Sequence, residues 1–464
     1  MITVSNVITI DNPSRELLSW CTQNLKLRNP DYDKKKRMHF WVGKTPEWLW
    51  LYEVHGDKLI LPFGVLRNII PMIDVNDIKM DFPESEKIDY GCKIPLYDYQ
   101  EKAVEEVYWK HYGILQSAAG SGKTQMGIAL IAKLGKRALW LTHTKDLLLQ
   151  SKDRAKQYMG EALLGTITEG KVNIGSGITF ATVQTMCNLD LAQYKDYWDV
   201  IIVDECHRVA GSPTAVSQFY KVLNSLAARH KYGLSATVHR SDGLIKATFA
   251  IIGDVVYTVP TEAVADKIMK VGINPVPTGI GLSRGCLNTD GTLNYAKLIS
   301  HLTESEERNR LIVESIVANR DKPSLILSDR LGHLETLMSM LPADMREDAV
   351  TVSGKMTTKK GKAEREQAIA DMRSGAKKYL FATYSLCKEG LDIPRLERLY
   401  MTTPVKDYAV VTQSIGRIAR IFPGKSQPVV YDFVDDIQYL VKAYKTRCRH
   451  YRKGGCFFCE GPTE

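Results

Sequence analysis

One stretch of eight residues, Ser117-Ala-Ala-Gly-Ser-Gly-Lys-Thr124, restricts the folds open to this chain more than any other feature. It follows a short apolar run, Gly113-Ile-Leu-Gln116, and precedes a helical pattern from Gln125 to Leu134. A strand, a glycine-rich turn and a helix start, in that order, are the setting of a phosphate-binding loop. Gly120 and Gly122 let the backbone come close, so the N–H groups of Ala119, Gly120, Ser121 and Gly122 and the helix N-terminus can surround a triphosphate. Lys123 then reaches the β- and γ-phosphates, and the Thr124 hydroxyl holds Mg2+.

The segments after this loop repeat its logic. Arg137-Ala-Leu-Trp-Leu-Thr142 and Ile178-Thr-Phe-Ala-Thr182 are buried-strand patterns, each followed by a helical one. Strands alternating with helices at this spacing predict an α/β fold with a parallel doubly wound sheet, whose ligands sit at the carboxyl ends of the strands. Thr142, His143, Thr182 and Gln184 fall there. Val200-Ile-Ile-Val203 delivers Asp204-Glu-Cys-His207 to the same edge. Two carboxylates at the end of a central strand are costly unless they have a task. Asp204 fits the carboxylate that holds Mg2+ directly or through water, and Glu205 fits the group that orients and deprotonates an attacking water. Upstream, Pro95-Leu-Tyr-Asp-Tyr-Gln100 opens a helix, where the Gln100 amide offers a donor and an acceptor to an adenine edge.

Length and charge bound the rest. At 464 residues the chain exceeds one compact core. Its 44% hydrophobic and 25% charged residues are those of an ordinary globular protein, with no run approaching a membrane span. The net charge of +9 favours a polyanionic partner. Nine cysteines, scattered through apparent core elements such as Cys187, Cys206 and Cys387, predict a reducing, cytoplasmic setting. The start, Met1-Ile-Thr-Val-Ser-Asn6, carries no export pattern.

The order of the phosphate loop, Asp204-Glu-Cys-His207 and Ser235-Ala-Thr237 resembles superfamily 2 helicases and translocases, in the DEAH-like branch of UvsW-, XPB- and RadD-type enzymes. Ser324-Leu-Ile-Leu-Ser-Asp329 is similar to the family's fourth motif, and Phe381-Ala-Thr-Tyr-Ser-Leu-Cys-Lys-Glu-Gly-Leu-Asp-Ile-Pro394 to the fifth. Gln413-Ser-Ile-Gly-Arg-Ile-Ala-Arg420 matches the sixth pattern, Q-x-x-G-R-x-x-R, at every fixed position. The likeness spans about residues 94–435. It implies two tandem RecA-like domains facing each other across one ATP, the second supplying Arg417 and Arg420 as arginine fingers, with Gln413 beside them. It also implies that Gly390 and Asp392 sit near the ribose, that Thr142, His143, Thr182, Gln184, Ser328 and Thr383 touch nucleic acid, and that His207, Ser235, Ala236 and Thr237 couple the two activities. Tyr97 stands where the family usually has arginine, and offers a ring to stack on the base.

Outside the likeness, residues 1–88 read as a small α+β accessory domain. Ser14–Leu25 predicts a helix, and Met38–Val42 with Trp48–Val54 predicts a hairpin beside the basic run Lys34, Lys35, Lys36 and Arg37, a candidate nucleic-acid surface. Residues 89–257 and 301–440 then form the two RecA-like domains, joined by a connector over 258–300. Residues 441–464 form a basic tail in which Cys448, His450, Cys456 and Cys459 are candidate zinc ligands. The expected activity is ATP-dependent unwinding or branch migration of forked or junction DNA, alongside replication or recombination proteins. RNA unwinding, or an ATP-driven clamp or translocase without strand separation, are the alternatives. Asp-Glu-Cys-His and the leading Gln413 argue against a DEAD-box RNA helicase.

Overall fold

The computed structural model describes residues 1–464 except 84–85, 92–93, 119, 237, 239–242, 265–267, 354–355, 357, 389–390, 392 and 460–464. The chain divides into two compact units, residues 1–118 with 122–260, and residues 119–121 with 261–464.

The first unit is built on an eight-stranded sheet in the order Lys171–Asn173, Leu164–Thr168, Ile178–Thr182, Ala138–Thr142, Val200–Asp204, His230–Ser235, Tyr112–Gln116, Val255–Thr258. Every residue of the three central strands Ile178–Thr182, Ala138–Thr142 and Val200–Asp204 is buried, as a parallel sheet covered on both faces requires. Only the edge hairpin is antiparallel, closed by Glu169 and Gly170, both at positive φ (51° and 75°) as a two-residue turn matched to strand twist demands. The register pairs Thr182 with Thr142, Asp204 with Leu234, and Ser235 with Gln116, so the candidate motifs share one edge.

The N-terminal part of the chain carries a five-stranded sheet within residues 2–80, in the order Glu53–His55, Lys58–Pro62, Val7–Asp11, Ile2–Val4, Ile78–Met80. The expected helix appears as Arg15–Asn24, capped by the Ser14 side chain on Leu17 N–H. The expected hairpin is corrected: Trp48–Trp50 pairs with Lys26–Arg28, and residues 38–47 form no strand. Lys26–Arg28 is polar and gave no strand pattern, yet it supplies cations that lie over the tryptophan rings, Lys26 Nζ being 4.6 Å from both Trp48 and Trp50. This sheet shares its apolar core with the first unit's helices, burying Leu59, Leu61 and Phe63 together with Val216, Ala247 and Ala250. At Gly64 the approach is backbone to backbone: a Cβ there would lie 2.5 Å from Gly253 N and 2.6 Å from Ala250 O.

The second unit carries seven strands in the order Ala349–Val352, Tyr379–Thr383, Ser324–Ser328, Arg398–Met401, Val429–Asp436, Gly272–Gly281, Phe457–Phe458, and all the pairings are parallel. Gly272–Gly281 lies inside the segment read as a connector. The segment read as a tail contains most of the helix Gln438–Lys453, whose Arg447 is buried and paired with Asp432 at 2.7 Å, and the edge strand Phe457–Phe458.

Candidate active site

The phosphate loop leaves the strand Tyr112–Gln116 and enters the helix Lys123–Leu134 through Gly120 and Gly122, at φ 85° and 81°. Left-handed geometry at both positions is why glycine stands there. Ala119 lies outside the described residues, and Ser121 lies between the two glycines. The loop's first residue is tied to the neighbouring strand by Ser117 N–H donating to Ser235 O at 3.0 Å. Its helix lies close on the sheet, because a Cβ at Gly127 would come within 2.8 Å of the Trp140 ring and of Leu234. Lys123 is buried and donates to the carbonyls of Ser117 and Ala118 at 3.3 and 3.2 Å, so a bound triphosphate must replace those bonds. Thr124 follows in the first helical turn, half-buried.

Gln100 does not present its whole amide outward. Its carbonyl accepts from Tyr97 N–H at 3.0 Å, capping its own helix, and its nitrogen lies over Gly122, where a Cβ would be 2.4 Å away. The residue thus braces the phosphate loop from behind. Tyr97 is about half exposed, its ring stacked on Tyr99 at 5.9 Å.

Asp204 is buried, and burial and then the adjacent Glu205 push its carboxyl up to about 7. Ser151 Oγ, on the helix Lys145–Lys156, donates to it at 3.3 Å, and Glu205 N–H at 3.0 Å. A carboxylate this costly to desolvate, beside a second one, fits a site for a divalent cation, and Asp204 with Thr124 would hold Mg2+ there. Glu205 takes a left-handed conformation at φ 49°, a strain on the order of 1–3 kcal/mol that sets its side chain apart from the strand direction. Its Oε2 lies 3.2 Å from His207 Nδ1, and that nitrogen is 3.1 Å from Ser235 Oγ. Cys206 is core packing: its Sγ would be 2.7 Å from a Cβ at Gly233. Burial holds its thiol far above the ordinary range, so it is inert at neutral pH.

The hydroxyls expected to touch nucleic acid each have a partner inside the protein. Thr142 is fully buried and donates to Thr144 O at 2.9 Å, Thr182 donates to Thr185 Oγ1 at 3.0 Å, and Ser328 lies 3.0 Å from His333 Nδ1. Thr383 is half-buried, 2.8 Å from Ser385 Oγ. Gln184 is exposed and donates to the His143 carbonyl at 3.1 Å, linking two strand-end loops. Burial, and then Arg208, pull the His143 imidazole down to about 3, so it is neutral at physiological pH. Ala236 is buried, while Thr237, Gly390 and Asp392 lie outside the described residues.

In the second unit, the helix Tyr408–Ile418 carries Gln413, which is buried with its side-chain carbonyl making no hydrogen bond among the described residues, and Arg417, half-buried one turn on. Arg420 bridges to Ile268 just past the helix end. A residue that sequence reasoning missed fixes this end: Lys425 donates to the carbonyls of Pro394, Ile418 and Arg420 at 3.0, 2.7 and 2.8 Å. Burial pulls its ammonium down to about 8. The clue was Pro423-Gly424, a turn signal that returns the chain toward the helix terminus.

The zinc expectation is corrected, since no cluster of three or more metal-binding side chains exists among the described residues. Cys448 and His450 are two residues apart on one helix and so point to different faces. Cys456 packs into the core beside Tyr451, Cys459 N–H donates to Ile273 O at 2.8 Å, and His450 contacts Lys406 O at 3.3 Å. No helix among the described residues is long and apolar enough to cross a membrane.

Residues 93–240 match the family model of the type III restriction enzyme res subunit, and residues 306–422 match the helicase conserved C-terminal domain. A mimivirus protein named as an ATP-dependent RNA helicase is 27% identical over 74% of this chain and 64% of its own. The helicase D10 of Escherichia phage T5 is 27% identical over 91% of this chain and 88% of its own. The DNA 3'-5' helicase XPB of Kineococcus radiotolerans is 27% identical over 60% of this chain and 49% of its own, so the chain spans about half of that protein. Among solved structures, Saccharomyces cerevisiae Dbp5 bound to RNA and ADP BeF3 superposes with a TM-score of 0.54, at 17% identity over 79% of this chain and 94% of that one, a likeness of fold.

Proposed function

We propose, from the premise that the chain is an ATP-hydrolysing helicase of superfamily 2, that its track is DNA and that it unwinds or branch-migrates forked and junction DNA. The observation that carries the motor part of this reading is the nitrogen of His207, 3.2 Å from Glu205 Oε2 and 3.1 Å from Ser235 Oγ. It ties the group that handles the attacking water to the strand whose end leads toward the coupling motif. Glu205 accepts the water's proton, Lys123 moves from the loop carbonyls to the phosphates, and Arg417 and Arg420 neutralise charge on the transferred phosphoryl. Mg2+, held by Thr124 and Asp204, would neutralise charge on the phosphate oxygens.

DNA is favoured over RNA by Cys206, His207 and Gln413, where a DEAD-box RNA helicase has other residues, and by the XPB relative's description as a DNA helicase. Branched DNA is favoured because residues 1–88 add a basic and aromatic surface, Lys34, Lys35, Lys36 and Arg37 near Trp41, to the first unit. The mimivirus relative's description as an RNA helicase motivates the second reading, an RNA motor.

The deciding measurement compares ATPase stimulation by DNA and RNA of one sequence, and then strand displacement on forks, four-way junctions and tailed duplexes. The DNA reading expects stimulation by DNA and displacement fastest on branched substrates. Stimulation by RNA alone would select the second reading, and DNA stimulation without displacement would leave a translocase or clamp.

A further inference from the structure

The most exposed tryptophan ring lies outside the nucleotide site. Trp41 is 87% exposed, and Phe40 beside it 60%. Two adjacent apolar rings standing this far into solvent form an exposed patch of the kind that marks a contact surface. The loop is built rather than loose. Met38, His39 and Phe40 donate their N–H groups to the carbonyls of Lys34, Lys36 and Lys35 at 3.1, 3.2 and 2.9 Å, folding the chain back onto the end of the helix Pro30–Arg37. Lys35 Nζ donates to Thr45 Oγ1 at 2.7 Å and Thr45 N–H to Val42 O at 3.0 Å, closing the far side.

Two backbone positions in this loop are left-handed, His39 at φ 54° and Gly43 at φ 52°. A left-handed histidine is held there at an energetic cost by its surroundings. Gly43 has a specific use: a Cβ on it would lie 2.9 Å from the Trp41 ring, so the ring leans on bare backbone with its remaining surface open. Lys34, Lys36 and Arg37, all exposed, line the helix end from which the loop springs. A propped aromatic face beside three cations matches an unpaired base stacked between phosphates, because every base has a π-face and every flanking phosphate a charge.

We propose that Lys34–Gly43 is a stacking platform for an unpaired nucleotide, with Trp41 as the stacking ring and Lys34, Lys36 and Arg37 on the flanking phosphates. The proposal rests on the nucleic-acid motor reading above and deepens it: the first unit would hold an unpaired strand away from the nucleotide site, where a branch opens.

The test uses the full chain and fluorescently labelled DNA, a 30-nucleotide single strand and a blunt duplex of equal length, without ATP. Trp41→Ala should weaken single-strand binding about tenfold, since stacking is worth roughly 1–3 kcal/mol per base, and leave duplex binding unchanged. Trp41→Phe should recover most of the loss. Replacing Lys34, Lys36 and Arg37 together with alanine should lower the slope of log affinity against log salt by about 2. Single-strand affinity unchanged in Trp41→Ala overturns the platform and leaves the rings to a protein partner. Equal losses on single strand and duplex also overturn it, because stacking is specific to the unpaired base. If the wild-type chain binds neither DNA, the motor reading fails with it, whereas wild-type binding with an unaffected variant fails the platform alone.

Discussion

His207 Nδ1, three residues past the strand Val200–Asp204, lies 3.1 Å from Ser235 Oγ at the end of the neighbouring parallel strand His230–Ser235. The same nitrogen lies 3.2 Å from Glu205 Oε2, so one imidazole stands between the Glu205 carboxylate and the end of the strand His230–Ser235. Ser235 is fully buried, with its hydroxyl directed at His207. Ser235→Ala should therefore keep ATP binding and most basal hydrolysis while lowering base pairs separated per ATP several-fold. Parallel measurement of ATP turnover and strand displacement checks this, and equal declines in both would reject a coupling role.

Glu205→Gln removes the proposed proton acceptor but keeps the side chain's size. Turnover should fall on the order of 10²–10⁴-fold, with ATP and DNA affinity retained, because general-base catalysis commonly contributes that much. Ordinary hydrolysis in this variant would mean that Glu205 is not the base. Its left-handed backbone makes Glu205→Ala less informative, since a smaller side chain also changes the loop's preferences.

Arg417→Ala should bind ATP and lose DNA-stimulated turnover by about 10³–10⁵-fold, the usual worth of an arginine finger. Its helix, Tyr408–Ile418, remains tied at its C-terminal end by Lys425, so the loss should come without a fall in thermal stability. Near wild-type turnover would remove Arg417 from the phosphoryl-transfer step.

The legible parts of this molecule are those written within a few consecutive residues. The phosphate loop, Asp204-Glu205 and the strands around them combine apolar runs with turn residues, and the structure returns these strands within a residue or two of their expected bounds. What a side chain does after it leaves the backbone was less legible. Thr142 and Thr182 stand at the expected strand ends, yet their hydroxyls bond Thr144 and Thr185, because a hydroxyl at a buried strand end must be satisfied locally. The strand Gly272–Gly281 was hidden by Pro275 and Pro277, which argue against a strand; two residues apart, they leave their missing N–H groups on one side, and only Gly272 and Ile273 pair with Phe457–Phe458. Residues 1–88 looked detachable because nothing in their own sequence shows the backbone contact between Gly64 and Ala250.

That shared core yields the last expectation, which concerns Lys231. Its side chain leaves the strand His230–Ser235 fully buried, donates to Leu223 O at 2.8 Å and Asn6 O at 3.2 Å, and lies over the Phe63 ring at 5.0 Å. No carboxylate pairs with it among the described residues, and burial pulls its ammonium down to about 7. In the unfolded chain the same group titrates near 10.5. Between those two values the unfolded state binds the extra proton, so stability should rise with pH through that window, by up to about 1.4 kcal/mol per pH unit, and be lowest below pH 7. Lys231→Met keeps the length and removes the charge. Urea midpoints at pH 7 and pH 9.5 should differ clearly less in the variant than in the wild type, with the variant gaining most at pH 7. An identical pH dependence in both proteins would show that Lys231 keeps an ordinary affinity for its proton in the fold, through water or a carboxylate reaching the contact between residues 1–88 and the strand that ends in Ser235.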